Sequence, residues 1–461
     1  MKSPLSVAII GGGFNGIMTL VHLVKNATAE IHISLFYKSP PLAAGIAFKT
    51  YSEKHLLNVA ARNMSAFPND PGHFIQWVLK RKEYASQPAD EIGKAFLPRN
   101  LYGLYLNDIL ESSIANLPLN IKLDIINEEV TGLTSAAGNF SVTTKSGHII
   151  VADKVVLATG NQIPGSPLKP NHAFLESSFY HPNPWVESSV DNVQNQKPIL
   201  IIGTGLTMVD VVLGLLEKKY SGKIIAISPR GFHILPHRPH EVYSEILSDI
   251  KPPYDLSNLL STFRAHIRKV KSENRFGEAV VDAFRSKTQE VWQALSKDDK
   301  KRFMVHIRHL WGVARHRLPA GVHANIQDLI KQGRLEVIAG RIVDVEMKDD
   351  YATARIKLRN GQKEISLAVQ RIINCTGPEA DPSKFNSTLF RQLISDNMII
   401  VDDMRLGIFA SPQGEIYDAS GKTVNNFYTL GTLLRGTLWE TTAVPELRVQ
   451  AENTAQLILK D

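Results

Sequence analysis

Apolar residues fill Ser6–Ile10 without the alternation of a one-sided strand, and the apolar positions that follow, Ile17, Leu20, Val21 and Val24, recur at helical spacing. With a further apolar run at Ile31–Phe36, the pattern predicts a strand, a helix over Gly16–Lys25 and a second strand, a unit of about 30 residues. The same order returns after Pro198, with a strand over Ile199–Ile202, a helix over Thr207–Lys218 and a strand over Ile224–Ser228. Between the two units lie a turn-rich stretch from Ser39 to Asp70, a helical stretch around Tyr102–Ile114 and strand-like segments through Leu157. Pro164–Pro198, rich in proline, asparagine and serine, reads as a linker. From about Pro236 to Ile330 the pattern is helical, polar and basic; strand patterns resume at Leu335 and again at Ile372–Thr376, and a last helix is predicted over Ala443–Leu459. The expected fold class is α/β, with two Rossmann-like dinucleotide-binding domains.

The glycines between strand and helix add chemistry to this pattern. Gly11, Gly13 and Gly16 fit G-x-G-x-x-G in the strand-to-helix context that gives the motif meaning. The first glycine permits the turn, the second lets a diphosphate approach the backbone, and the third lets helix and strand pack closely. The free amides at the helix start, around Phe14 and Asn15, then face the phosphates. The second unit keeps Gly203 and Gly205, followed by Leu206 and Thr207, but has Met208 in the third glycine's place, which predicts looser helix–strand packing. Two such sites suggest two cofactors, and hydride transfer from nicotinamide to flavin is the usual chemistry linking them. Neither unit has an acidic residue after its second strand to meet a ribose 2′-hydroxyl. The first continues with Tyr37 and Lys38; the second continues with Arg230, whose guanidinium suits a 2′-phosphate and favours NADPH over NADH.

Composition narrows the classes. The 461 residues, 43% hydrophobic and 21% charged, have the balance of a folded chain of two or three domains. No apolar run reaches the roughly 18 residues a membrane span needs, and the first apolar stretch runs into glycine where a leader would place a cleavage site, so the expected location is cytoplasmic. The single cysteine, Cys375, allows neither an intrachain disulfide nor a Cys-pair redox centre, and reads as a small buried residue. The net charge of +7 is scattered and carries no nucleic-acid-binding pattern, so no nucleic-acid partner is expected; phosphates of a dinucleotide or an anionic small-molecule substrate account for the sign. His233, His237 and His240 are separated by Pro236 and Pro239 and lack a completing ligand, so no metal is expected. His306, Arg308, His309, Arg315, His316 and Arg317 form a basic face open either to solvent or to a carboxylate or phosphate.

Several blocks together carry a family resemblance: GGGFNG, the long GIAFKTYSEKHLLNVAARNMSAFPNDPGHFIQWV at Gly45–Val78, VVLATG at Val155–Gly160, GTGLTMVD with SPRG, and LGTLLRGTLWETTAVPELRVQA. The chain resembles a bacterial family of FAD/NAD(P)-binding proteins, related to flavin-containing and flavin-dependent N-hydroxylating monooxygenases. The resemblance implies a discontinuous FAD domain (1–165 and 370–461) with an NAD(P) domain (195–345) inserted, itself carrying the helical basic insertion at about 236–330. It further implies that Val155–Gly160, ending in Thr159 and Gly160, and Ile372–Gly377 are the two crossings between domains. Tyr37 departs from the family, which places Glu there; its hydroxyl or nearby amides would have to meet the adenosine ribose.

The loop His55–Phe74 is dense in hydrogen-bonding groups for a core segment. By analogy with flavin monooxygenases, Asn58 and then Ser65 are the expected catalytic groups near the flavin, with Met64 alongside. His55 and His73 are potential acid–base groups, each more simply structural. Arg99 could contact FAD phosphates, while Tyr102 and Tyr105 share a helix face as packing groups with tethered hydroxyls. Near the end, Gly431 closes a strand, and Glu440 with Thr441 is either an N-terminal cap cluster or a flavin contact. The expected function is that of an FAD-dependent, NADPH-using oxidoreductase, a monooxygenase acting on a small nucleophilic substrate such as an amine or amino acid. A flavin reductase or dehydrogenase with another acceptor and a non-catalytic FAD-binding redox sensor are the alternatives. The oligomeric state is left open.

Overall fold

Both expected strand–helix–strand units form in the computed structural model, which describes residues 3–136, 138–169, 172–359, 361 and 363–460. Leu5–Ile10 pairs in parallel with Ile31–Phe36 on one side and Lys154–Leu157 on the other, Ile10 lying opposite both Phe36 and Leu157. The first sheet runs in the order Glu415–Tyr417, Thr423–Thr429, Lys154–Leu157, Leu5–Ile10, Ile31–Phe36, Ile121–Ile126. Its central strands are covered on both faces, which is why they read as unbroken apolar runs. One face receives the helix Phe14–Asn26, packed on the last helix Val444–Leu459. Phe140, Val142, Phe390 and Leu393 join Ile10, Leu157 and Phe427 in an apolar core against the sheet. Phe140 and Val142 come from a three-stranded antiparallel sheet.

The second sheet runs Glu364–Val369, Ala352–Leu358, Leu335–Met347, Ile224–Ser228, Ile199–Ile202, Arg371–Asn374, Tyr180–His181. The long strand Leu335–Met347 pairs in parallel with Ile224–Ser228 through its first half and antiparallel with Ala352–Leu358 through its second, with a register shift between Ile342 and Asp344. The helix Leu206–Glu217 shares a core with Ile199, Ile201, Ile224, Leu335 and Cys375. The helical region includes Leu256–Ser272, started by Asp255, whose carboxylate accepts the Ser257 and Asn258 amides, and ends with Ala320–Lys331.

These strands group the chain into two units, Met1–Thr50 with Val59–Gln162 and Ala380–Asp461, and Tyr51–Asn58 with Ile163–Glu379. The boundaries differ from the expected ones in three places. Arg371–Asn374 is hydrogen-bonded to Ile199–Ile202, so the second unit extends through Glu379, whereas the expected NAD(P) domain ends at 345 and the expected FAD domain resumes at 370. The expected linker Pro164–Pro198 contributes an edge strand, Tyr180–His181, to that same sheet. Tyr51–Asn58 also belongs to the second unit: the Tyr51 ring lies against Gly214, Ser52 bonds Glu217, and His55 Nε2 lies 2.8 Å from the Asp210 carbonyl oxygen. Among the described residues no helix is long and apolar enough to cross a membrane.

One consequence is a titration. His22, on the helix Phe14–Asn26, is buried with a neighbouring Lys25, and burial foremost pushes its pKa down to about 4. The unfolded chain takes up this proton near pH 6.5 and the folded one only near pH 4, so stability present above pH 6.5 is lost as pH falls between those values. His22→Gln is expected to flatten that slope, checked by comparing denaturation midpoints at neutral and acidic pH for the two proteins.

Candidate functional site

The two strand-to-helix turns are built alike. In the first unit the Gly11 amide donates to the Phe36 carbonyl at 2.9 Å and the Ala158 amide to the Ile10 carbonyl at 2.9 Å. In the second the Gly203 amide donates to Ile227 and the Cys375 amide to Ile202, each at 2.7 Å. Each turn therefore sits over the exit of the neighbouring parallel strand. Gly11 has φ +127° and Gly203 +112°; a Cβ on either would lie 2.2 Å from the carbonyl oxygen of Ala158 or Cys375 respectively. No other residue fits that approach. Gly13 and Gly205 then cap their helices with near-identical backbones, φ −90° and −88°, ψ −168° in both. Neither cap makes a side-chain hydrogen bond to the helix start, so the amides of Phe14 and Asn15, and of Leu206 and Thr207, are left for an anion. A Cβ on Gly205 would meet nothing within 4 Å.

The turns differ at the third position. A Cβ on Gly16 would stand 1.8 Å from the Gly11 carbonyl oxygen. Met208 instead buries its side chain in the core of the second unit. The first turn of that helix is correspondingly irregular: the Val209 amide reaches Gly205 at 3.4 Å while Met208 takes the same carbonyl at 3.0 Å, against a regular 3.0 Å bond from Ile17 to Gly13.

Hydrogen-bond satisfaction also separates them. At the second crossing the Thr376 hydroxyl donates to Asn374 Oδ1 at 2.7 Å, and Asn374 in turn donates to Gly165 and to the Tyr180 hydroxyl oxygen. At the first crossing the equivalent Thr159 hydroxyl is buried without a partner among the described residues, and so is Oδ1 of Asn15. Gly160 and Gly377, at φ +63° and +91°, follow the two threonines and have open space on their Cβ side. Buried polar atoms are normally paired, so two unpaired ones beside one glycine turn mark a place that a ligand's polar groups would complete.

The carboxy-terminal block closes on this turn. Gly431, at φ +75°, lies against Asn15, whose Nδ2 would be 2.1 Å from a Cβ there. Its amide donates to Gln450 Oε1, Gln450 Nε2 donates to the Thr441 hydroxyl, and Thr432 meets Asn161 Oδ1 at 3.0 Å. Gln450 lies inside the last quoted block and Asn161 directly after VVLATG, but a neutral amide carries no spacing signature that would mark either. Thr441 is not a helix cap: the last helix begins after Ala443, and Thr441 is buried and bonded to Gln450. Glu440 is half-buried just before it.

The loop residues expected to be catalytic part company. Ser65 is fully buried, and its hydroxyl donates to the Asp70 carbonyl at 2.5 Å, holding the turn of its own loop. That geometry gives it a structural task in place of the expected catalytic one. Met64 is buried beside it, Arg448 donates to the Ser65 carbonyl, and the Tyr105 hydroxyl accepts the Ala66 amide and lies 2.7 Å from His73 Nδ1. Tyr105 is thus tethered as expected, whereas the buried Tyr102 hydroxyl has no partner among the described residues. Asn58 is half-buried; its carbonyl meets His237 Nε2 at 3.2 Å, and its side-chain amide makes no hydrogen bond among the described residues. Arg99 opens the helix Arg99–Ala115. The Tyr37 amide donates to Ile126, and Lys38 faces Glu129 at 3.4 Å on the surface.

In the second unit Arg230 follows the strand Ile224–Ser228 as expected, half-buried, with Nη2 3.4 Å from the Val305 carbonyl. His237 and His240 are engaged separately, His240 by Asp282 at 3.2 Å, and among the described residues no three His, Cys, Asp or Glu side chains converge on a metal position. The basic face divides: Arg317, 3% exposed, and Arg315 both pair with Asp282. Cys375 is buried, and burial raises its thiol pKa well above the ordinary value.

Two Rossmann-like units, the first interrupted by the second, define the fold of the two-dinucleotide-binding-domain flavoproteins. Residues 8–162 match a family model described as FAD-NAD(P)-binding. No curated protein sequence matches the chain. Among solved structures, the chain is similar to an ornithine N-hydroxylase of Kutzneria sp. 744 with reduced FAD, NADP+ and L-ornithine, at 14% identity and TM-score 0.66 over 99% of both chains. It is also similar to the FAD-bound cadaverine monooxygenase of Erwinia amylovora, at 13% identity and TM-score 0.66, covering 100% of this chain and 95% of that one. Thioredoxin reductase of T. acidophilum shares the fold more distantly, at 11% identity and TM-score 0.53 over 99% of this chain and 98% of that one.

Two substitutions test the first turn. Gly16→Ala is expected to lower the unfolding free energy by about 1–3 kcal/mol through overpacking, read from chemical denaturation. Thr159→Val, which removes an unsatisfied hydroxyl at constant shape, is expected to leave the apoprotein's denaturation midpoint unchanged or raised while weakening FAD binding about tenfold in a fluorescence titration.

Proposed function

We propose that the chain is an FAD-dependent, NADPH-using oxidoreductase, and more closely a monooxygenase acting on a small nucleophilic substrate, an amine or amino acid. The observation that carries the reading is the pair of matched glycine turns, one in each unit, of which the first keeps buried polar atoms without partners. FAD fits the first turn on chemical grounds: Asn15 Oδ1 can only accept, and sugar and ribityl hydroxyls are donors, while the diphosphate takes the amides of Phe14 and Asn15. When bound, FAD supplies an acceptor for hydride and a centre for activating oxygen.

The chain's own residues then have distinct tasks. Gly11, Gly13 and Gly16 keep side chains out of the phosphate path. Thr159 and Gly160 at the strand exit and Gly431 at the carboxy-terminal turn stand beside the same cofactor, Thr441 bracing Gly431 through Gln450, and Met64 and Arg99 are its further contacts. Tyr37 and Lys38 are the residues available to the adenosine end. In the second unit Gly203, Gly205, Leu206 and Thr207 take the NADPH diphosphate, Arg230 its 2′-phosphate, and Gly377 leaves space at the strand exit. Asn58, whose side-chain amide is uncommitted, is the candidate for orienting a reacting group by hydrogen bonding; Ser65 is not.

The likeness to the amine-hydroxylating structures supports the monooxygenase reading. The fold shared with thioredoxin reductase raises a reductase as a second reading, but disulfide reduction needs a second sulfur, and the one cysteine is buried with its thiol held protonated.

Purified protein is expected to carry flavin absorbance and to oxidise NADPH faster in the presence of an amine or amino acid, with a product heavier by one oxygen atom in mass spectrometry. NADPH oxidation that passes electrons to quinone or protein acceptors, with no oxygenated product from any amine, would establish the reductase instead.

A further inference from the structure

Resting on the NADPH reading of the second turn, the geometry points to a composite anion site in which Arg308 and Arg341 join Arg230 on the 2′-phosphate of the dinucleotide. Preference for the phosphorylated dinucleotide would then be set by three separate elements.

Arg230 stands in the loop after Ile224–Ser228, where the residue that reads the ribose 2′ position belongs. Its Nη2 lies 3.4 Å from the carbonyl of Val305, in the π-turn Phe303–Ile307, and the helix Arg308–Arg315 starts at the end of that turn. The helical insertion therefore delivers Arg308 beside Arg230. The strand Leu335–Met347 delivers the third group. Its Ala339 pairs with Ser228, the last residue of the shorter strand, and Gly231 folds back so closely that a Cβ on it would lie 2.9 Å from that of Ala339. Arg341, two residues beyond Ala339 and on the same face by strand alternation, continues along the long strand where its partner has ended.

The charges agree with this placement. His309, next to Arg308, has its pKa lowered by burial and then by Arg308, Arg230 and Arg341 in that order. Among the described residues no carboxylate pairs with any of the three arginines, whereas Arg315 and Arg317 in the same segment share an ion pair with Asp282. Arg308 and Arg341 are exposed and Arg230 half-buried, so a ligand can reach them. Gathering three guanidinium groups without a counter-charge is unfavourable until an anion is supplied, and a phosphate dianion offers enough acceptor oxygens for all of them.

The test is calorimetric titration of the flavin-loaded protein with adenosine 2′,5′-bisphosphate and, separately, with adenosine 5′-monophosphate. Wild type is expected to prefer the bisphosphate. Arg308→Gln and Arg341→Gln are each expected to weaken bisphosphate binding about tenfold and to leave monophosphate binding unchanged, the latter showing that the turn is still folded. If both variants keep the wild-type ratio while Arg230→Gln abolishes it, the composite site is wrong and the NADPH reading survives. An equal loss for both nucleotides in the two variants would likewise overturn the composite site. If wild type itself shows no preference, the NADPH reading fails and takes this inference with it.

Discussion

The structure depends on one close approach, made twice: a glycine at the end of a parallel strand passes over the carbonyl of the neighbouring strand's exit, Gly11 over Ala158 and Gly203 over Cys375. A side chain at either place would collide with backbone, and backbone cannot move without breaking the ladder that places it. Because each carbonyl belongs to the residue just past a central strand, the turn, the helix start and the crossing segment are positioned by one set of sheet hydrogen bonds. The helix amides are thereby aimed at a fixed point before any ligand arrives. Preorganised donors of this kind bind a diphosphate without the cost of ordering a loop.

From a shared plan the two turns have taken different chemistry. The first is closely packed, with Gly16 against Gly11, and leaves Asn15 and Thr159 short of partners; the second accepts a methionine in the helix and ties its threonine to Asn374. Charge follows the same division. Among the described residues Arg230, Arg308 and Arg341 pair with no carboxylate, while Arg315 and Arg317 share Asp282.

The carboxy-terminal block shows how distant parts of a chain finish a site. Gly431, Thr441 and Gln450 form a small hydrogen-bonded ring whose glycine backs onto Asn15, so the last helix supports the first one from behind. The loop after Asn58 is held by similar means, with Tyr105 and Arg448 reaching its backbone from two helices and Ser65 bracing its own turn.

Much of this was legible in the amino-acid order. Buried parallel strands must be apolar throughout, so Ile31–Phe36, Ile199–Ile202 and Ile224–Ser228 could be read to the residue, and the glycine spacing located both turns because only glycine tolerates their geometry. What the order could not show was anything set by pairing across long separations. Arg371–Asn374 looks like part of whatever follows it until its hydrogen bonds to Ile199–Ile202 assign it to the second sheet. Ser65 and Asn58 look equally polar until one hydroxyl is found buried in its own turn and one amide left uncommitted. That Arg230 reaches the turn before Arg308 was likewise decided only in three dimensions. Periodicity and steric necessity are local and leave their mark in the chain, whereas hydrogen-bond partnership and charge compensation are properties of neighbours in space.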